Sequence, residues 1–158
     1  MPSNPRTYSD LDRVDRRIIE TVQKDGRISI TDLSGVVGLS KTPCQLRLKR
    51  LLDEGFIDGF RAVINPKKLG LDHVAFVEVK LSDTRESALS KFNAAIKKVG
   101  EIEECHMIAG RFDYLLKVRT SNIAAYRKVL AEDISRLPSV ASTSTNVVME
   151  AVKESRLG

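Results

Sequence analysis

The stretch Leu33–Gly55, LSGVVGLSKTPCQLRLKRLLDEG, decides the fold of the front part of this chain. Gly38 ends one short helical pattern, and Ser40 is the predicted N-cap of the next helix. The apolar residues of that next helix share one face at helical spacing and are predicted to be its core side: Cys44, Leu48, Leu51 and Leu52. Two helices joined by a tight glycine turn are typical of a helix-turn-helix unit.

The opposite side of this second helix is polar and basic. We expect its outward and flanking residues to contact the major groove of double-stranded DNA: Lys41, Thr42, Gln45, Leu46, Arg47, Lys49 and Arg50. Glutamine pairs with adenine edges, threonine and leucine meet the thymine methyl group, and arginine and lysine bind guanine or phosphate. An outward leucine is costly without a partner, so we expect Leu46 to make an apolar base contact. The alternative is a solvated face whose charges only keep the domain soluble.

Residues on both sides of this unit extend it into a small domain. Upstream, an amphipathic helix is predicted from the apolar stripe Leu11, Val14, Ile18 and Val22, with Ser9 or Asp10 as its cap. Thr31 is the predicted cap of the helix that Gly38 ends. Downstream, residues 56–64 are half apolar and predicted to be extended, and the proline and glycine of 65–70 indicate a linker.

Beyond the linker the order of elements is β-α-β-β-α-β, which is typical of a ferredoxin-like fold. The predicted elements are a strand over His73–Leu81, a helix from Leu89 to Val99 closed by Gly100, strands Glu104–Ala109 and Phe112–Arg119 around Gly110, a helix with Ile123, Tyr126, Leu130, Ile134 and Leu137 inward, and a last strand near Asn146–Val152. The whole chain is therefore predicted to be α+β: a helix-turn-helix domain over residues 1–60, a linker over 61–72 and a ferredoxin-like domain over 73–158.

The first strand of the second domain is apolar on both faces. Ala75, Val77, Val79 and Leu81 form the face for the two helices, yet Val74 and Phe76 point to the other side. We expect a second copy of the chain to cover that side, giving a homodimer. Partial exposure, or cover by the N-terminal domain, are the alternatives.

Composition excludes several classes of protein. The 158 residues are 42% hydrophobic and contain no apolar run long enough for a membrane span, so no membrane partner is expected. The net charge of +5 is concentrated in residues 1–68, with 13 basic and 9 acidic side chains. The two cysteines are far apart in the sequence, which indicates a reducing cytoplasm. With only two histidines besides, the chain offers few metal ligands, so neither a metal site nor a cofactor is predicted.

An enzyme and an RNA-binding domain are the rival interpretations. Cys105 and His106 are neighbours, so on a strand they project to opposite faces and cannot readily form a nucleophile–base pair. No phosphate-binding glycine loop is present, and we expect no catalytic residues. The segment Gly110–Tyr114 faintly resembles an RNA-binding strand motif, but Asp113 at its centre would repel phosphates.

Motifs along nearly the whole chain resemble those of the leucine-responsive regulatory protein/AsnC family, with the leucine-responsive branch most similar. They include Leu11-Asp12-Arg13-Val14-Asp15, Val37-Gly38-Leu39-Ser40, Gly55-Phe56-Ile57, Gly110-Arg111-Phe112-Asp113-Tyr114-Leu115-Leu116-Lys117 and Val147-Val148-Met149-Glu150. This resemblance implies a bacterial, cytoplasmic, nucleoid-associated transcription regulator of amino-acid metabolism. It also implies a winged helix-turn-helix, pairing through the C-terminal sheets, assembly into octamers and an amino-acid effector bound where dimers meet.

Carried over by resemblance, the effector site contains Gly110, Arg111, Phe112 and Asp113, with Thr143, Thr145 and Asn146 on the strand beside them. A carboxylate suits the effector ammonium, and backbone N–H groups of a glycine loop suit its carboxylate. The chain departs from the family at Leu46, where its relatives have an acidic residue, and at Asn146, where the leucine-responsive type has a large aromatic. Leucine or another branched-chain amino acid, proline, lysine and other small zwitterions all remain open as effectors.

Overall fold

The computed structural model describes residues 7–154, and the chain divides into two compact units between Val63 and Ile64. The outermost residues of the two predicted domains, 1–6 and 155–158, lie outside the described residues. Each unit has its own hydrophobic core. Among the described residues, no helix combines the length and the apolar character needed to cross a membrane.

The first unit is helical, with α1 over Arg13–Lys24, α2 over Ile30–Val37 and α3 over Lys41–Asp53. One buried cluster joins these helices and contains Leu11, Ile18, Val22, Leu33, Cys44 and Leu51. The predicted core side of α3 is confirmed, because Cys44 and Leu51 are fully buried. Gly38 follows α2 with a φ of 73°, a left-handed conformation that glycine adopts without strain.

Ser40 is the N-cap of α3 as predicted, although its side chain makes no capping hydrogen bond, whereas the caps of α1 and α2 differ from the prediction. Asp12, not Ser9 or Asp10, caps α1, because its side chain accepts the Asp15 backbone N–H. Ser29, not Thr31, caps α2 in the same way. Residues of either type suit this position, so the choice depends on which backbone N–H groups the packed helix leaves unpaired. Within the described chain, no strand forms over the predicted extended segment 56–64.

The second unit is a sheet with helices on one face. Its elements are β1 His73–Leu81, α4 Glu86–Ile96, β2 Ile102–Met107, β3 Tyr114–Thr120, α5 Ile123–Glu132 and β4 Val140–Val147. In the part of the chain that is described, the strands form one antiparallel sheet in the order β2-β3-β1-β4. This arrangement confirms the predicted α+β, ferredoxin-like architecture.

The period of two along β1 separates the two faces of the sheet. Ala75, Val77 and Val79 are fully buried in one cluster with Phe92 of α4 and Tyr126 of α5, so both helices cover the same face. The other side, here called the open face, carries half-buried Val74, Phe76 and Glu78. Its predicted cover by a second copy remains a prediction.

Two predictions about the last elements are wrong. The final strand is Val140–Val147 rather than 146–152, and it was missed because its alternating serines and threonines carry no hydrophobic period. Ile123, predicted to point inward, is the first residue of α5 and is 52% exposed. The neighbouring helix α4 ends at Ile96, four residues before Gly100.

Candidate nucleic-acid interface and effector site

The exposed side of α3 is the candidate DNA interface. Lys41, Thr42, Gln45, Leu46 and Lys49 are all exposed. Leu46 is 64% exposed although it is a leucine in the middle of a helix. This side of α3 therefore presents short polar, apolar and basic groups together, as direct readout of base edges and phosphates requires.

Arg47 and Arg50 are both paired with aspartates at the start of α1. Arg47 donates from Nη1 to Asp15 at 2.9 Å and also to Asp12, and Arg50 donates from Nη2 to Asp15 at 2.5 Å. Both arginines are half-buried against the N-terminal end of α1. The expected outward position of Arg50 is wrong, because its long side chain bends back from α3 to reach a buried carboxylate.

Asp15 is the centre of this cluster and is only 3% exposed. Its two oxygens accept from two different arginines, which satisfies a carboxylate removed from water. Beside it, the backbone N–H of Asp15 and then the Arg47 guanidinium hold the pKa of Asp12 below its usual value. The hydrogen bond to Asp12 is the main cause that raises the pKa of Arg47.

The effector loop predicted from the resemblance connects β2 to β3. Asp113 ends the loop, and its carboxylate accepts the Leu81 backbone N–H at 2.8 Å and Lys80 Nζ at 3.1 Å. The Leu81 hydrogen bond is the main cause that lowers the pKa of Asp113. The loop is held to β1 a second time, since the Asp113 N–H donates to the Val79 carbonyl.

The other predicted effector residues divide between the two faces of the sheet. Thr143 and Thr145 are paired with Val79 and Val77 and share the helix-covered face, where Thr145 Oγ1 lies 2.5 Å from the Tyr126 hydroxyl. Asn146 is paired with Phe76 on the open face. The loop residue Arg111 also bonds there, to Glu78 at 3.0 Å. Within one protomer these residues do not form a single pocket.

Sequence reasoning missed an ion cluster on β3. Lys117 and Arg119, two positions apart, both bind Glu154 at 2.9 Å, and Glu103 also binds Arg119. Lys117 and Arg119 occupy alternate positions of the strand, and that pattern could have indicated an ion cluster on one face. Nothing in the sequence marked the distant Glu154 as their partner. This cluster fastens the segment after β4 to the second unit.

The rival enzyme interpretation gains no support from the geometry of β2. Cys105 packs against the helix-side core, whereas His106 is exposed and lies 3.3 Å from Glu104. Burial raises the pKa of the Cys105 thiol, the opposite of what activates a nucleophile. Within residues 7–154, no group of three or more His, Cys, Asp or Glu side chains is arranged to hold a metal ion.

Comparison with known families matches both units. The family model described as winged helix-turn-helix DNA-binding matches residues 11–58. The model described as Lrp/AsnC ligand binding domain matches residues 74–157.

Relatives with similar sequences and structures cover nearly the whole chain. A proline dehydrogenase transcriptional activator from Rhizobium radiobacter is 66% identical over 96% of this chain and 97% of its own length. The leucine-responsive regulatory protein of Escherichia coli K12 is 50% identical over 97% of this chain and 93% of its own. A Neisseria meningitidis transcriptional regulator, solved with L-Met, is 28% identical with a TM-score of 0.86, covering 93% of this chain and 95% of that one.

Proposed function

Because the chain belongs to the Lrp/AsnC family of DNA-binding transcription regulators, which are not enzymes, we propose that α3 reads its operator and that an amino acid controls the binding. The observation that carries the DNA half is the exposed side of α3, where Thr42, Gln45 and Leu46 stand beside Lys49. Thr42 and Gln45 supply hydrogen bonds to base edges, Leu46 meets a thymine methyl, and the lysines bind phosphate.

Two heads of one dimer place their α3 helices in successive major grooves, about 34 Å apart, so the operator is pseudo-palindromic. The open face of the sheet supports such a dimer. Val74 and Phe76 on that face are only half-buried in one protomer, and a second copy removes them from water.

The effector binds where copies meet, because one protomer leaves the predicted residues on two faces. Asp113 accepts two hydrogen bonds, whereas an ionised carboxylate has sites for about four, so it retains capacity for the effector ammonium. Backbone N–H groups of the Gly110 loop bind the effector carboxylate. Binding shifts the assembly of dimers into octamers by the difference in affinity between the two states.

Proline is the proposed effector, and a gene of proline breakdown the proposed target. The support is the name of the relative that is 66% identical over 152 residues. Asn146 agrees with a small ligand, since it leaves more room than the large aromatic that the resemblance to the leucine-responsive type implies.

A thermal-shift screen against the twenty amino acids tests the sensor half. Ligand at about 100 times its Kd stabilises the native state by about 2.7 kcal/mol, so proline raises Tm in a concentration-dependent way. Asp113→Asn abolishes the shift, whereas Glu132→Gln, an exposed carboxylate on α5, keeps it. If no amino acid moves the transition, the sensor proposal fails. A shift with another amino acid, but not with proline, overturns only the choice of effector.

A further inference from the structure

Asp15 joins the first helix of the DNA-binding unit to the third. Its carboxylate accepts from Arg47 and Arg50, which lie three residues apart on one side of α3. The Nε atom of Arg50 is buried as well, although about a third of the side chain stays exposed to solvent. Asp12, the N-cap of α1, holds Arg47 a second time.

The ion pairs of Asp15 also favour one orientation of α3 energetically. Withdrawing either arginine leaves one oxygen of the buried Asp15 carboxylate without its charged partner, which is unfavourable. Asp15 therefore resists any rotation of α3 that withdraws either arginine. A rotation that kept both pairs would have to move α1 too, and α1 is fixed in the core through buried Ile18 and Val22.

We propose that Asp15 is a positioning residue for DNA recognition. It holds Arg47 and Arg50 against α1, so that α3 faces a duplex only with its Thr42, Gln45 and Leu46 side and with two cations, Lys41 and Lys49. The proposal rests on the DNA-binding function proposed above. It goes further in assigning the two arginines to orientation of the helix and not to phosphate contact.

The slope of log affinity against log salt distinguishes these two roles. Each phosphate contact adds about 0.9 to the magnitude of that slope in duplex DNA. Lys49 and Arg50 are neighbours on α3 with equal charge, but Lys49 is exposed and Arg50 is paired to a buried carboxylate. They therefore form a matched pair for the experiment.

Lys49→Gln and Arg50→Gln are compared in the full-length chain by DNA-binding titrations between about 50 and 200 mM salt. We expect Lys49→Gln to reduce the slope by about 0.9 for each bound head, and Arg50→Gln to leave the slope unchanged. An equal reduction by both substitutions would show that Arg50 binds phosphate, which overturns the proposal.

Asp15→Asn gives the complementary test. Released arginines bind phosphates without regard to sequence, so the slope rises by about 1 to 2 for each head and the ratio of operator to non-operator affinity falls. Asp58→Asn, which removes an exposed carboxylate from the same unit, is the control and changes neither. Loss of folded protein alone would lower the active fraction but would leave slope and ratio as they were, and that result contradicts positioning.

Failure of the proposed DNA-binding function and failure of the proposed role of Asp15 give different results. If the unsubstituted chain binds no duplex above its non-specific level, the proposed function fails. If it binds its operator and the Arg50→Gln slope falls as the Lys49→Gln slope does, only the role of Asp15 fails. Should Asp15→Asn not fold, the comparison of Lys49 with Arg50 decides alone.

Discussion

At the scale of single residues, Asp113 supports the fold before it meets any ligand, because its carboxylate accepts the Leu81 N–H and Lys80 Nζ. These hydrogen bonds hold the pKa of the folded Asp113 carboxyl below its usual value. A lowered folded pKa contributes stability that is present above the unfolded pKa and is lost as pH falls through the folded value.

Asp113→Asn tests this contribution. The variant is expected to be about 1 kcal/mol less stable at neutral pH, because it keeps an acceptor for Leu81 but loses the charge. From about pH 4 downward the difference shrinks, and it is lost once the pH falls below the folded pKa, where the unsubstituted carboxyl is also neutral. Urea unfolding of both chains over a pH series measures it. A difference that stays constant down to about pH 2 would contradict the ionic origin.

A second prediction at this scale concerns the base contact of Leu46. Leu46→Ala relaxes operator preference at one base pair by about fivefold, equivalent to about 1 kcal/mol, because the apolar contact with a thymine methyl is lost. Leu46→Met keeps that contact and serves as the control. A binding selection from randomised duplexes measures both. An unchanged preference profile for the alanine variant would show that Leu46 contacts no base.

The same helix shows where prediction at the residue scale succeeds and where it stops. Helical spacing identified Cys44 and Leu51 as buried, since short side chains follow the direction of their Cα–Cβ bond. Arg50 was misplaced, because a long side chain is directed by its partner, and Asp15 is thirty-five residues away in sequence. Acidic residues at the start of a helix suit the positive end of its dipole, so Asp12 and Asp15 did not by themselves indicate arginine partners.

At the scale of elements, one glycine inside α2 and one directly after it have opposite roles. Gly38 has a left-handed backbone, with φ of 73°, whereas Gly35 lies inside the helix, and a Cβ at either would meet no atom within 4 Å. Gly38→Ala is therefore expected to destabilise the first unit by about 1 kcal/mol through backbone strain alone.

Gly35→Ala is the matched control and is expected to stabilise by about 0.5–1 kcal/mol, since alanine loses less backbone entropy in a helix. Thermal or urea unfolding of the two variants checks both signs. Destabilisation by Gly35→Ala would contradict the prediction, because it would show that the first unit does not accommodate the added methyl group at this position.

The elements that were predicted well have strong apolar periods. The bounds of β1 agree with the prediction residue for residue, because its alternating buried positions are all apolar. The polar strand β4 was placed six residues too late, since Val147 and the apolar residues after it outweighed the serine and threonine alternation before them. Between α3 and β1, residues 56–64 carry a half-apolar pattern but form no strand in the described chain.

At the scale of the whole molecule, the open face carries a prediction about assembly. Phe76→Glu places a charge where the second copy is proposed to pack, and it is expected to shift dimer to monomer at micromolar concentration. Ile123→Glu introduces the same charge at an exposed position of α5 and is expected to leave the dimer intact. Sedimentation velocity separates the two results. If Phe76→Glu remains dimeric, the copies pair through another surface.

The order of elements and the division of the chain were accessible from the sequence, because turn residues and changes of period mark them. The predicted linker, 61–72, includes the division between Val63 and Ile64. The effector site could not be predicted from turn residues and changes of period. Its loop followed from resemblance, and the distribution of Thr145 and Asn146 over opposite faces depends on the register of β4, which pairing with β1 determines.

The ion pairs of Glu154 have a practical consequence for protein engineering. Because Lys117 and Arg119 fasten this residue beside the central strands, a label or fusion introduced at Glu154 lies next to the surface where subunits are proposed to meet. Replacing Glu154 would also remove one carboxylate partner from each of these two cations, although Glu103 stays paired with both. Labels intended to leave the oligomer undisturbed therefore belong on exposed positions of the helices.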